Sequence, residues 1–278
     1  MVGSSPHYEH AAMRRVRKIA LACALVAAQS AVAFAEDDAE LQKQLANPVA
    51  DLVTVPIQYT ANFNVGPESG TQDVVNIQPV YPTKLGPVNL INRLIVPLLS
   101  NPPAAFGQDR VGGLGDILYE GFFAPAKPGA MIWGAGPLIM LDSATNDRLG
   151  TGKYGAGPAV VVLTQNGPWS VGALITQLWS FAGDDSRAAV SQFQFQPVLS
   201  YTISPKHSIG YAGTISANWH QPGSQIWTVP VGATYSMLTH PGSIPVNFIF
   251  GGGYNVVRPT GAGDWFLRLQ INMIFAKK

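Results

Sequence analysis

From residue 54 to residue 275 the chain alternates apolar and polar positions with a period of two. The end of the chain shows it most plainly. Trp265, Leu267, Leu269, Ile271, Met273 and Phe275 share one face, while Asp264, Phe266, Arg268, Gln270, Asn272 and Ile274 share the other. Phe193, Phe195, Pro197, Leu199, Tyr201 and Ile203 likewise oppose Gln192, Gln194, Gln196, Val198, Ser200 and Thr202. Near the start, Val55, Ile57, Tyr59, Ala61, Phe63 and Val65 oppose Thr54, Gln58, Thr60, Asn62 and Asn64. Successive side chains of a strand point to opposite sides, so each stretch predicts a β-strand with one apolar face.

Turn residues divide the alternation into twelve segments: 54–65, 72–81, 88–99, 114–125, 130–141, 155–164, 168–181, 190–203, 208–219, 225–236, 245–256 and 264–275. Face contrast is weakest in 88–99 and 155–164. Strands of soluble sandwiches usually run about 5 to 6 residues, whereas a tilted strand crossing a bilayer needs about 9 to 11. Length, alternation and an even count together predict an all-β fold, a transmembrane antiparallel β-barrel of about 12 strands. The connections should alternate between short periplasmic turns and longer outer loops. The turns are 82–87, 126–129, 165–167, 204–207 and 237–244, and the loops 66–71, 100–113, 142–154, 182–189, 220–224 and 257–263. In this frame Tyr81, Trp133, Tyr201, Tyr235 and Phe275 gather near the turn end. Phe63, Trp179, Phe193, Trp219, Trp227, Tyr254 and Trp265 gather near the loop end.

Residues 1–35 read as a signal peptide. Arg14, Arg15, Arg17 and Lys18 form a basic region, Ile19 to Phe34 an apolar one, and Ala33-Phe34-Ala35 a small-x-small cleavage site followed by acids. Residues 36–52 form an N-terminal periplasmic segment ahead of the barrel at 53–278. Leu41 and Leu45 suit one or two helical turns that Asn47-Pro48 stops. This segment either hangs free or tucks into the barrel mouth.

Composition agrees. Charged residues make up 12% of the chain, about half the usual 25% of soluble domains. The net charge of +1 gives no electrostatic case for nucleic acid. The single cysteine, Cys23, lies in the signal peptide, which excludes a disulfide scaffold and a cysteine zinc site from the exported chain. No cofactor and no metal are called for.

Several strings then carry a resemblance: Asn47-Pro48-Val49-Ala50-Asp51-Leu52, Gly150 to Pro158, Leu178 to Gly183, Gln196-Pro197 with Tyr201, Tyr254 to Pro259, and Asp264 to Gln270. Together they make the chain resemble the bacterial outer-membrane "transporter" proteins often labelled neuromedin U, which are similar to the family named for the meta-pathway of phenol degradation. The resemblance runs over essentially the whole mature chain. It implies an outer-membrane barrel with a role in small-molecule uptake, hydrophobic or aromatic solutes included, and it implies no catalytic residue. The terminal aromatic usual in such barrels is Phe275, here followed by Ala276-Lys277-Lys278.

The implied function is that of a channel or transporter in the outer membrane. Its partners would be outer-membrane lipid and lipopolysaccharide, the barrel-assembly machinery through the strand ending at Phe275, and a small solute. Candidate pore-lining residues are Arg93, Asp116, Glu120, Gln192, Gln194, Gln196 and Arg268. A charge facing lipid at mid-depth costs about 2–4 kcal/mol, so these charges should face inward. Two alternatives stay open: a structural or adhesive barrel that does not conduct, and a membrane-embedded hydrolase. The latter needs a serine beside a histidine, and His207-Ser208 are chain neighbours whose side chains should diverge within a strand. Gly150-x-Gly152-x-x-Gly155 fits a dinucleotide fingerprint only on paper, because Pro158 and Val160 to Val162 continue as a strand where that motif requires a helix.

Overall fold

The computed structural model describes residues 38–242 and 244–275. The expected signal peptide, residues 1–35, lies outside the described residues. The strands are β1 (Val53–Val65), β2 (Gly70–Ile77), β3 (Val80–Leu85), β4 (Val88–Asn101), β5 (Val111–Leu114), β6 (Leu118–Pro125), β7 (Met131–Met140), β8 (Lys153–Asn166), β9 (Trp169–Gly183), β10 (Ser191–Ser204), β11 (His207–Tyr211), β12 (Ile215–Asn218), β13 (Trp227–Thr239), β14 (Val246–Val257) and β15 (Trp265–Phe275).

Staves consecutive in the chain pair antiparallel. The last closes on the first, from Val53↔Phe275 to Phe63↔Trp265. Three staves are broken. β2 continues as β3, β5 as β6, and β11 as β12, so the barrel has 12 staves, as the alternation predicts. The breaks have local causes. Pro79 has no N–H to give the ladder. At residues 115–117 the register slips by one, from Leu98↔Leu114 to Ile95↔Leu118. Gly213 has φ +129°, and Pro230 occupies the place a side chain there would take. Such backbone is open mainly to glycine.

The sheet turns its apolar face outward. Along β15, Leu267, Leu269 and Ile271 are exposed, while Phe266, Asn272 and Ile274 are buried. Aromatic side chains band at both ends of this outer face. Trp169 meets Tyr201 edge-on at 4.8 Å near the turns, and Phe63 stacks on Trp265 at 3.8 Å near the loops. Trp219 donates its indole N–H to Gln177 Oε1 (2.9 Å), which satisfies a polar group within the loop-end band. These features are those of a surface facing a hydrocarbon layer between two interfaces.

The inner face is not uniformly polar. Ile91, Phe122, Leu138, Val161, Leu163 and Leu174 project inward from β4 and β6 to β9 and form a packed apolar core. The remaining staves present mostly small or polar residues, Ser208, Gly210, Gly232, Thr234, Gly251 and Gly253 among them. One half of the interior is therefore solid and the other half is open.

Residues 38–45 form an α-helix. Of the two placements that the sequence leaves open, its contacts select the mouth. Gln165 on β8 donates to the Lys43 carbonyl at 2.7 Å, and Gln42 donates to the Lys206 carbonyl at 3.0 Å. Gln42 Oε1 accepts from Ser208 and Ser236 at 3.5 and 3.4 Å. Asp38 lies 3.7 Å from Lys206 and 3.3 Å from His240. The helix thus reaches across the turn end from β8 to β11 and β13. The chain then bends at Asn47, whose side chain accepts from the Val49 N–H at 3.0 Å. Val49 itself is buried in the apolar core.

Candidate functional site

The open half of the lumen holds a cavity of about 280 Å³. Its walls come from β1, β10, β11 and β13 to β15, with Gln78 and Arg93 on the far side. Residues 44–48 close it at the turn end. The cavity sits here because glycines and short polar side chains line these staves, and because the bulky apolar side chains of β8 and β9, Val161, Leu163, Leu174 and Leu178, fill the opposite half.

Among the described residues, Arg93 and Arg268 are the charged ones on its wall, and no carboxylate lines it. Arg93 is neutralised locally. Its guanidinium pairs with Glu120 at 3.2 Å, bonds Gln78, and leaves the Glu120 carboxylate almost wholly buried. The register explains the pair, since Arg93 and Glu120 are direct partners on β4 and β6. Arg268 is held differently. Leu267 and Leu269 on either side of it face out, so it points inward. It lies opposite Thr60 on β1 and Gly251 on β14. Its guanidinium sits 5.7 Å from the Phe266 ring, and its Nε is buried with no hydrogen-bond partner.

Of the glutamines expected in the lumen, Gln196 reaches the cavity. Gln192 and Gln194 continue its inward row toward the loop end, where Gln192 lies opposite Leu178 and Gln194 opposite Thr176. Asp116 does not join the cavity. It occupies the break between β5 and β6, where its carboxylate accepts from the Thr151 N–H (2.6 Å), the Thr151 hydroxyl (2.8 Å) and the Ser143 N–H (3.4 Å). It is the clasp for the loop between β7 and β8. Arg187 fastens the same loop from the next one, bonding the carbonyls of Asp147 (2.8 Å) and Gly150 (2.6 Å). Leu149 is buried at this end. Sequence reasoning missed this clasp because its partners are set by loop conformation, which has no period.

His207 and Ser208 do diverge. His207 faces out with Tyr235, whose hydroxyl lies 2.7 Å from its Nδ1, while Ser208 faces in and lies 2.6 Å from Ser236.

Neither a comparison with protein-family models nor one with curated proteins finds a match. Among solved structures the chain is similar to an outer membrane channel from Pseudomonas putida F1, at 14% identity and a TM-score of 0.60. The match covers 83% of this chain and 98% of that one. A looser likeness runs to the NanC porin, at 11% identity and a TM-score of 0.49, over 81% of this chain and 100% of that one. At such identity the shared property is the fold: the closed barrel described above is the architecture of a known outer-membrane channel.

Proposed function

We propose that this protein is an outer-membrane channel for small solutes, exported by its signal peptide and embedded with the short turns in the periplasm. The observation that carries the reading is the half-open lumen. A barrel that only needed to be stable would fill both halves as β4 and β6 to β9 fill one. The apolar outer belt with its two aromatic bands supports membrane residence. The barrel of the Pseudomonas putida outer membrane channel supports the class of function by analogy of fold. The resemblance of several strings to outer-membrane transporter proteins similar to the phenol meta-pathway family favours hydrophobic or aromatic cargo, and the strand ending at Phe275 is the segment offered to the assembly machinery.

A second reading has its own observation. Residues 38–50 bridge the turn-end mouth and anchor Val49 in the core, which describes a barrel closed at rest. One experiment tests both. The mature protein, refolded in detergent and checked for heat-modifiable migration, is inserted into planar bilayers alongside a variant lacking residues 36–50. A channel gives discrete conductance steps, larger or more frequent in the shortened variant. Silence of the full chain with activity of the shortened one identifies the closed form. Silence of both, with folding intact, sinks the channel reading.

A further inference from the structure

We infer that the lumen carries a binding site for a small organic carboxylate, centred on Arg268. Buried polar groups are normally paired, and leaving a charged one unpaired is costly. Arg268 stands out against that rule. No described residue hydrogen-bonds its guanidinium, and its Nε is buried on the cavity wall. The surrounding wall explains why it is available. Gly251 directly opposite has no side chain to offer. Phe266 lies beneath the guanidinium at 5.7 Å and can engage its face, an interaction that leaves the N–H edge free. That edge is a planar fork matched to the two oxygens of a carboxylate.

The electrostatics point the same way. The other cation on the wall, Arg93, is spent on Glu120, and among the described residues the wall offers no carboxylate to compete for Arg268. The cavity therefore has one uncompensated positive charge in a confined space, where its field is stronger than in bulk water. The volume of about 280 Å³ admits a molecule of one ring or a short chain. The neighbouring Gln58, Thr234 and Gln270 give polar contacts for the remainder of such a solute. The transport consequence rests on the channel reading; the binding does not.

The probe is benzoate, with chloride as the competing spherical anion. Binding is read first from the shift in melting temperature of the detergent-folded full mature chain on adding sodium benzoate, against sodium chloride at equal ionic strength. Stabilisation should saturate with benzoate and vanish in Arg268→Gln. Arg268→Lys, which keeps the charge but not the fork, should weaken it at least about tenfold, roughly what one hydrogen bond to a charged group is worth. Conductance is read second. Benzoate should block chloride current in the wild type, with a half-blocking concentration raised at least about tenfold in Arg268→Gln. Benzoate stabilisation that depends on Arg268 in a protein that never conducts would uphold the site and defeat the channel. A conducting protein in which benzoate acts no differently from chloride, or acts equally in Arg268→Gln, would overturn the site. Should Arg268→Gln fail to fold, the Arg268→Lys titration alone decides: an unchanged midpoint overturns the proposal.

Discussion

At the scale of single residues, the two lumen arginines show how the same side chain takes opposite roles through its neighbours. Arg93 faces Glu120 across the β4–β6 ladder and forms a buried ion pair. Removing one partner of such a pair strands the other charge, at a cost of about 3–5 kcal/mol when fully buried. Glu120→Gln should cost about 3 kcal/mol, the low end of that range, because Arg93 keeps Gln78 and part of its surface opens on the cavity. The midpoint of urea unfolding, followed by tryptophan fluorescence in detergent, measures it, and an unchanged midpoint would mean that the pair is not formed. The inward direction of both arginines was legible in the sequence, from the cost of a charge facing lipid and, for Arg268, from its alternation with Leu267 and Leu269. The pairing was not, because it depends on which residues the register sets opposite one another. Asp116 shows the same limit more sharply. By counting twos from Glu120 it belongs in the lumen, but the one-residue slip at 115–117 frees it to clasp Thr151 and Ser143.

At the scale of elements, the apolar face of the strongly alternating strands could be read from period two alone, and the limits of the unbroken ones nearly so. The expected 264–275 and the observed Trp265–Phe275 differ by one residue. That strand gives a direct test of facing. Leu269 is exposed on the outer surface and Gln270 lines the cavity. Leu269→Arg should cost about 2–4 kcal/mol near mid-depth and impair refolding, whereas Gln270→Arg should refold as the wild type does. Heat-modifiable migration after refolding into lipid vesicles reports both, and equal behaviour would mean that the faces are reversed. Weak contrast in 88–99 and 155–164 also carried information. Val160, Val161 and Val162 blur the alternation because the odd one packs in the interior core while its neighbours face outward. A strand buried on both sides reads as a continuous apolar run. The placement of residues 38–50 left no such trace. Its contacts to Gln165, Lys206, Ser208 and Ser236 are long-range and polar, and nothing in a short helical pattern names the wall it will meet.

For the whole molecule, the start of β1 at Val53, the end of β15 at Phe275, the short turns and the N-terminal helix share one end of the barrel, and the long connections share the other. Cysteines introduced at Asp185, in the connection after β9, and at Lys127, in the turn after β6, both lie on exposed positions. On intact cells an impermeant maleimide should label the Asp185→Cys variant and spare the Lys127→Cys one until the outer membrane is breached. The reverse pattern would turn the barrel over. The division of the interior has a consequence of its own for how such a protein can change over generations. The packed side, from β4 through β9, behaves like the core of a soluble domain, where truncating Phe122 to Ala would cost about 3–5 kcal/mol. The hollow side, on β10 to β15 and β1, carries the cavity wall but little packing. New preferences for cargo can therefore arise there one side chain at a time, while the opposite wall keeps the vessel upright.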